Sequence, residues 1–375
     1  MIVRSGCNVA GAWRDLIPTR ATEIHVNDTH WSDRYSSAVS CGGVSFLFNR
    51  RGGTPRRPAR NRMDDLIQWH TVVRRREGNS YGPSSIALHP MDRMSHNAHV
   101  LCARPGGGSD MLVVFGGRFH LHSAIEVGVR RLDAPAVPWP PTWRRVSPGF
   151  APTATLALNG SHQGCREERS RKDVIAPGFC EFDGRLAVVR FAQRYWLYAR
   201  ANLHPRSGAR HVQVSSSIDG KGGWTPFELL TIHGVPAGQP ESNIYFWLPL
   251  KWSDDVLLAL LPAVLNAGSA AERRGGGIFW SASRDGVRWS KPRKLLESAV
   301  SDRRTDDYPV ALKCTEGSRL CTLHVEHGVA TIGTIHTRAF APRHCEYELD
   351  RALLNSRVRE ALGTLEPKAA FYQLR

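Results

Sequence analysis

The sequence lacks several features that would place it in common functional classes. None of its apolar segments approaches the roughly 18 residues that a membrane-spanning helix needs. The eight cysteines include no Cys-x-x-Cys pair and no spacing typical of zinc ligands. The glycine runs 106–108 and 275–277 lack the following helix and Lys that a phosphate-binding loop requires. Residues 1–13 contain no sustained apolar stretch, so no secretory signal is visible and the compartment stays open.

Acidic residues and lysine are scarce beside arginine. The 375 residues carry 50 basic and 34 acidic side chains, a formal net charge of +16, and only 7 of the basic residues are lysines. A chain this basic can bind nucleic acid or an acidic polymer. The densest cluster, residues 50–62, has Gly and Pro between its charges and few aromatics, which favours a flexible loop. Because arginine also occurs in every predicted strand unit, a compositional preference for arginine explains the charge better than a nucleic-acid site.

Short β-strand patterns are abundant, and residues 179–228 contain a complete set of four. The predicted strands are residues 186–191, 195–201, 210–214 and 224–227. The first is apolar and β-branched, the second is dense in aromatics, and the third alternates polar and apolar positions. The fourth contains Pro226, which suits an edge strand. Four antiparallel strands joined by tight turns make one blade of a β-propeller.

The same order of strands returns elsewhere in the chain. A second unit begins with a predicted strand at 243–248, and the Ser-x-Asp-Gly elements of the two units lie 66 residues apart. Weaker units begin near residues 97 and 307. A fixed period of this size favours radial repetition, whereas an open β-sandwich gives no reason for it. The sequence therefore predicts an all-β fold, a five-bladed β-propeller with four antiparallel strands per blade.

A short amphipathic helix is predicted at the C-terminal end, over residues 350–365. Its apolar residues are Leu353, Val358 and Leu362, and Gly363 is expected to cap it. The expected domain organisation is an N-terminal segment, 1–90, that includes the arginine-rich loop and contributes a blade. A propeller domain follows over 91–345, and the helix and tail occupy 346–375.

Polar residues stand at the start of successive predicted blades. They are His96 or Asn97, Asp183 with Glu181, Glu241 or Asn243, and Asp306 or Asp307. In a propeller these positions converge on the central axis and face one pocket. Carboxylates packed together push each other's pKa values apart, so one can act as an acid while another acts as a base. Glycoside cleavage needs such a pair.

The segment around residues 179–296 resembles a blade pattern of the five-bladed propeller glycosidases, the arabinanase, xylosidase and invertase-like group. The resemblance is carried by Glu181-Phe182-Asp183-Gly184, Tyr195-Trp196-Leu197-Tyr198, the Ser-x-Asp-Gly elements and Trp224. Carried over by position, it implies that Asp183 is an inner-strand aspartate acting as base or nucleophile. It also implies that Glu241 is the general acid and Asp307 a further aspartate. The Ser-x-Asp-Gly elements are similar to the Asp-box of sialidases as well, and we interpret them as structural hairpins.

These features lead to the hypothesis of a propeller that acts on or binds a carbohydrate, and the arginines favour an anionic one. Arg200, on a second strand, is a candidate for binding a carboxylate or sulfate through paired hydrogen bonds, although such an arginine also pairs with neighbouring blades. The alternative is a noncatalytic module that binds carbohydrate or protein. A nucleic-acid binder, the third reading, predicts a basic stripe and steep weakening with salt. The spacings require no metal or cofactor, and carboxylates on the axis could hold Ca²⁺ or water.

Overall fold

The fold is given by a computed structural model, which describes the following parts of the chain. They are residues 7, 13–29, 33–52, 70–88, 97–103, 111–117, 126–131, 144–145, 155–156, 162–163, 185–204, 208–220, 223–238, 242–266, 273–298, 307–328 and 342–365.

Strands make up nearly all of the regular structure in these parts, and one helix follows the last strand. The first strands are β1 (Arg20–Val26), β2 (Arg34–Cys41), β3 (Val44–Arg51), β4 (His70–Glu77), β5 (Ser80–Tyr81), β6 (Ser85–Leu88), β7 (Asn97–Ala103), β8 (Met111–Gly117), β9 (Glu126–Arg131), β10 (Arg144–Arg145), β11 (Thr155–Leu156) and β12 (His162–Gln163). The later strands are β13 (Ala187–Phe191), β14 (Arg194–His204), β15 (Gly208–Ser217), β16 (Glu228–Leu229), β17 (Thr231–Ile232), β18 (Asn243–Ile244), β19 (Leu248–Lys251), β20 (Leu257–Asn266), β21 (Arg273–Ser283), β22 (Arg288–Trp289), β23 (Arg293–Glu297), β24 (Asp307–Cys314), β25 (Leu320–His327) and β26 (Arg343–Asp350). The helix α1 spans Arg351–Gly363. The prediction of a nearly all-β fold with a C-terminal helix is confirmed.

The strands pair into four-stranded antiparallel units. Unit A contains β2, β3, β4 and β6, and unit B contains β7, β8, β9 and β10. Unit C contains β13 to β16, and unit D contains β19, β20, β21 and β23. Unit E contains β24, β25, β26 and the N-terminal strand β1. Because β1 pairs with β26, strands from the two ends of the chain complete one sheet.

The first strands of the units surround a common centre. Strand β2 contacts β7, β7 contacts β13, β13 contacts β19, β19 contacts β24, and β24 contacts β2. The buried apolar clusters bring together Phe48 and Val100 between A and B, Val113 and Leu197 between B and C, Tyr198 and Trp289 between C and D, Trp280 and Leu323 between D and E, and Leu47 and Val310 between E and A. Burial of these apolar faces holds the curled sheets together in a near-closed arrangement.

The two Ser-x-Asp-Gly elements form the same turn in units C and D. In residues 217–220 the serine hydroxyl donates to the aspartate at 3.2 Å and accepts from the glycine N–H at 3.1 Å. In residues 283–286 the corresponding distances are 3.2 and 2.9 Å. These bonds satisfy polar groups within each turn, in agreement with the interpretation of the elements as structural hairpins.

Several predicted strand bounds are wrong. The fourth strand of unit C is β16 and not the predicted 224–227. The Thr225 N–H donates to the Ser216 carbonyl, and the Ser216 N–H donates to the Thr225 hydroxyl. Phe227 is fully buried. In unit D, Trp289 lies on β22, which pairs with β17, and the fourth strand is β23. The strand predicted at 243–248 is divided into β18 and β19.

The helix begins close to its predicted position. Asp350 caps it by accepting from the Leu353 N–H at 2.8 Å. The buried face contains Leu354, Val358, Ala361 and Leu362, whereas Leu353 is largely exposed. The C-cap is Thr364, and Gly363 is the last helical residue, so the glycine cap was predicted one residue early.

The described cysteines are cross-linked. The disulfides are Cys7–Cys345, Cys41–Cys102 and Cys314–Cys321. The Cys41–Cys102 bond joins the first strands of units A and B, and the Cys314–Cys321 bond closes the hairpin of β24 and β25. In the arginine-rich segment, Arg50 and Arg51 belong to β3, and the rest of the predicted loop lies outside the described residues.

Candidate functional site

The centre of the ring is bordered by aromatic residues at or near the start of the first strands. Tyr35 is the second residue of β2, Tyr308 is the second residue of β24, and Tyr245 and Phe246 lie between β18 and β19. We call these four residues the central cluster. They come from units A, D and E, which the ring of first strands brings together.

The rings of the central cluster contact one another. The centroid of the Tyr35 ring lies 5.9 Å from that of Phe246 and 5.4 Å from that of Tyr308, both edge to face. Phe246 and Tyr308 stack at 6.0 Å, and Tyr245 meets Tyr308 edge to face at 6.4 Å. Such pairs contribute about 0.5–1.5 kcal/mol each beyond the burial of their area. The four rings therefore pack as one cluster, in which Phe246 and Tyr308 are buried and Tyr35 and Tyr245 are partly exposed.

Tyr35 is held in an unusual backbone conformation. Its φ is 55°, in the left-handed region that bulky residues rarely adopt, and the register of β2 shifts between Arg34 and Ser37. The next residue, Ser36, donates its N–H to Glu326 at 3.0 Å and its hydroxyl to the same carboxylate. Backbone strain of this kind persists only where the surroundings enforce it, and it concentrates at functional sites.

Arginines lie over the aromatic rings. The guanidinium carbon of Arg50 is 4.4 Å from the Tyr35 centroid, and that of Arg210 is 5.6 Å from the Tyr245 centroid. A small cavity beside Tyr35 is lined by Tyr35, Phe48, Asn49, Arg50, Thr71, Ala98 and Arg185. The described part of the centre is thus aromatic and cationic.

Arg185, two residues before β13, crosses the centre of the ring. Its Nη1 donates to the carbonyls of Ser36 at 2.7 Å and Pro309 at 3.2 Å, and its Nη2 donates to Ser37 Oγ at 3.0 Å. Its guanidinium also lies 5.3 Å from the Phe246 ring. Arg185 is 2% exposed, and burial lowers its pKa to about 9, against which the Glu326 carboxylate acts. One side chain from unit C therefore contacts units A, D and E.

Asp307 lies beside this cluster at the first position of β24. Its Oδ1 is 2.6 Å from Nδ1 of His327, and Nε2 of His327 is 2.8 Å from the Tyr347 hydroxyl. All three residues belong to unit E and follow one another at intervals of 20 residues. A carboxylate held by an imidazole has a fixed orientation, which suits either a catalytic or a binding role.

The predicted site residues fall into two groups. Five of them lie outside the described residues: Asp183, Glu241, His96, Glu181 and Asp306. Asn97 is the first residue of β7, and Asp307 is the first residue of β24, next to Tyr308 in the chain. Arg200 is buried on β14, on the same face as Tyr198, whose hydroxyl contacts Gly286 of the neighbouring unit. Asn243 pairs with Arg210 and Val264.

Sequence reasoning missed the central cluster, Arg185 and His327. A signal was present, because an aromatic residue stands near the start of β2, β19 and β24.

Among the residues that the structure describes, no group of three or more His, Cys, Asp and Glu side chains could hold a metal ion. No helix in the same set is long and apolar enough to cross a membrane.

Solved structures similar to this chain include three carbohydrate-active enzymes. An N-acetylgalactosamine deacetylase from F. plautii, in complex with blood group B trisaccharide, is 13% identical with a TM-score of 0.51, over 92% of this chain and 96% of that one. An α-L-arabinofuranosidase from Fusarium graminearum with an iminosugar inhibitor is 10% identical with a TM-score of 0.49, over 84% and 80%. An α-L-arabinanase from Penicillium chrysogenum with arabinobiose is 9% identical with a TM-score of 0.49, over 89% and 98%.

Identities this low show a shared fold alone, and the deacetylase match carries that conclusion. Solved arabinofuranosidase and arabinanase structures are among those similar to this chain, in line with the suspected resemblance to the propeller glycosidases. No model of a known protein family matches the chain, and no curated protein matches it.

Proposed function

We propose that units A to E are the blades of a five-bladed β-propeller closed by the pairing of β1 with β26. The cyclic contacts of the first strands support this proposal, as does the apolar cluster between each pair of consecutive units. In this organisation the segment 1–90 supplies unit A and the strand β1 of unit E, and residues 91–350 supply the other strands. The expected boundary between 345 and 346 therefore lies within β26, and the helix begins at Arg351.

The proposed function is to bind a carbohydrate at the centre of this ring and to act on it. The observation that carries the proposal is the central cluster, in which the strained Tyr35 is fixed against Phe246 and Tyr308 beside Asp307. Ligand sites combine such apolar and aromatic walls with a few placed polar groups. The deacetylase of similar fold was solved with a trisaccharide, which supports the same class of ligand here.

For catalysis we propose Asp183, Glu241 and Asp307 as the carboxylates. Asp183 precedes the central Arg185 by two residues, and Glu241 precedes Phe246 by five, so both are tied by short chain segments to the described centre. Glycoside cleavage would need one of the three as acid and another as base or nucleophile. We propose three further ligand contacts because they too lie close in sequence to described residues of the first strands: Asp306, Glu181 and His96. Asn97, Arg200 and Asn243 remain further proposed contacts.

A noncatalytic carbohydrate-binding or protein-interaction module is the second candidate. It is favoured by the burial of Asp307, whose carboxylate is engaged by His327. A carboxylate held in this way can orient a sugar hydroxyl without transferring a proton.

Hydrolysis and binding, measured on the same variants, separate the two candidates. Asp183→Asn, Glu241→Gln and Asp307→Asn would be tested on a panel of oligosaccharides, with product release followed by chromatography and binding by calorimetry. Glu316→Gln, an exposed change in the turn between β24 and β25, is the matched control.

For an enzyme, hydrolysis falls about 100-fold or more in at least two of the three variants while binding persists. For a module, no sugar is cleaved by the unaltered protein, and only binding changes. The carbohydrate proposal itself fails if no oligosaccharide of the panel binds.

A further inference from the structure

Two of the five N–H donors of Arg185 have no acceptor among the described residues. A guanidinium carries five N–H groups. Three bonds are made, two from Nη1 and one from Nη2, to Ser36, Pro309 and Ser37. The buried Nε–H has no partner among the described residues. Among the described residues, the Nε–H and one of the two Nη2 hydrogens thus have no acceptor, and Nε and Nη2 lie on one edge of the guanidinium, which we call the side edge.

The chain itself shows what this edge binds. In Arg51, Nε donates to Oδ1 of Asp33 at 2.7 Å and Nη2 donates to Oδ2 at 2.9 Å. Two parallel N–H donors match the two oxygens of a planar carboxylate. Among the described residues, the acceptors of the Arg185 guanidinium are neutral oxygens, the carbonyls of Ser36 and Pro309 and the hydroxyl of Ser37. The Glu326 carboxylate raises the pKa of Arg185 against the effect of burial, and a carboxylate bound directly to the guanidinium would add charge-assisted hydrogen bonds.

The cavity beside Arg185 is small, about 10 Å³. Arg185 and Arg50 line the same cavity, whose wall includes the Tyr35 ring. Arg50 is only partly buried and lies over that ring, so it forms the outer side of the cavity. The nearest described carboxylates are occupied: Glu326 accepts from Ser36, and Asp307 contacts His327.

We infer that the carbohydrate bound at the centre carries a carboxylate, as a uronic acid does, and that this group is held by the side edge of Arg185 with Arg50 opposite. The inference rests on the proposed function and names its substrate class. A sulfate offers the same charge but a tetrahedral shape, so it matches the two parallel donors less well.

The test compares each acidic sugar with its own neutral form. The probes are oligomers of galacturonic, glucuronic, mannuronic and guluronic acid, each beside its fully methyl-esterified form, and a sulfated oligosaccharide. Affinities are measured by calorimetry for the unaltered protein, Arg50→Gln and Arg185→Lys. Arg284→Gln is the control, because it removes one positive charge from an exposed surface pair with Asp255.

At least one acid is expected to bind about tenfold more tightly than its methyl ester. Arg50→Gln should abolish most of this ratio of acid to ester affinity, whereas Arg284→Gln should preserve it. Arg185→Lys keeps the charge and should still lose the preference. If that variant does not fold, the acid-to-ester ratio and Arg50→Gln decide the matter. Acids and esters that bind equally overturn the inference and leave the carbohydrate function standing. Tighter binding of the sulfated sugar than of every acid also overturns it. Binding of no sugar overturns both.

Discussion

At the scale of single residues, the seam between units E and A is notable for buried charge. Arg74 is fully buried and donates to Asp33 at 2.9 Å, and Asp33 also binds Arg51. Burial is the main influence on Arg74 and lowers its pKa, which the Asp33 carboxylate opposes. A buried ion pair of this kind adds little net stability, but removing one partner leaves an unpaired charge.

Asp33→Asn is therefore expected to destabilise the fold by about 3–5 kcal/mol. The measurement is urea denaturation followed by tryptophan fluorescence. Asp255→Asn breaks a pair whose side chains are 61% and 70% exposed, and it should cost less than about 1 kcal/mol. Equal losses in the two variants would contradict this account.

The buried histidines predict how stability depends on pH. Nε2 of His324 lies 3.0 Å from Nδ1 of His344, and burial lowers the pKa of His324 to about 3. The unfolded imidazole has a pKa of about 6.5, so the unfolded chain binds the proton more readily. Burial of the neutral His324 imidazole therefore contributes fully to the free energy of unfolding above about pH 6.5, and this contribution is lost as the pH falls toward 3.

From one such histidine we expect a loss of about 2 kcal/mol between pH 7 and pH 5. The free energy of unfolding, measured by urea titration at several pH values, should fall less steeply in His324→Gln. An unchanged slope would show that the imidazole is not neutral in the fold.

At the scale of elements, the turn at residues 283–286 of unit D is hydrogen-bonded to unit C. Gly286 has a φ of 79°, and the Tyr198 hydroxyl of unit C donates to its carbonyl at 2.9 Å. A Cβ at this position would lie 3.1 Å from that hydroxyl and 3.3 Å from the Trp196 ring. Gly317 has a similar φ of 75° but nothing within 4 Å.

Gly317→Ala should cost about 1 kcal/mol, from backbone strain alone. Gly286→Ala should cost about 2–3 kcal/mol, because the Tyr198 contact must also shift. Thermal unfolding of the two variants checks the difference. If the two glycines prove equivalent, the turn does not couple units C and D.

The first three strands of unit C could be predicted from the sequence because their alternation and their turns are local properties. The first strand of unit D was harder, since Tyr245 and Phe246 pack on Tyr35 and Tyr308 rather than continuing the ladder. The central cluster joins residues more than 200 positions apart, which no local pattern reveals. Asp307 was predicted as a site residue because it starts a strand, whereas its partner His327 ends the next one; the role of Asp307 stays a prediction.

At the scale of the whole molecule, the disulfides differ in the length of chain that they close. Cys41 and Cys102 are 61 residues apart and join two units, whereas Cys314 and Cys321 are 7 apart within one hairpin. In the chain-entropy description the longer loop gives about 2 kcal/mol more stability. Disulfides also persist mainly in oxidising compartments.

Replacing Cys41 and Cys102 together by Ser should therefore lower the free energy of unfolding by about 2 kcal/mol more than replacing Cys314 and Cys321. Chemical denaturation under non-reducing conditions measures both. A larger loss from the short hairpin bond would mean that packing between units A and B does not depend on the cross-link.

The central claim is that a carbohydrate binds at the centre of the ring, and a crystal structure of the protein with its tightest-binding oligosaccharide tests it most directly. The account predicts a sugar ring in contact with Tyr35 and Tyr308, within about 4 Å of their side chains. A sugar bound elsewhere, such as in the groove beside Trp196 and Glu228, would contradict it.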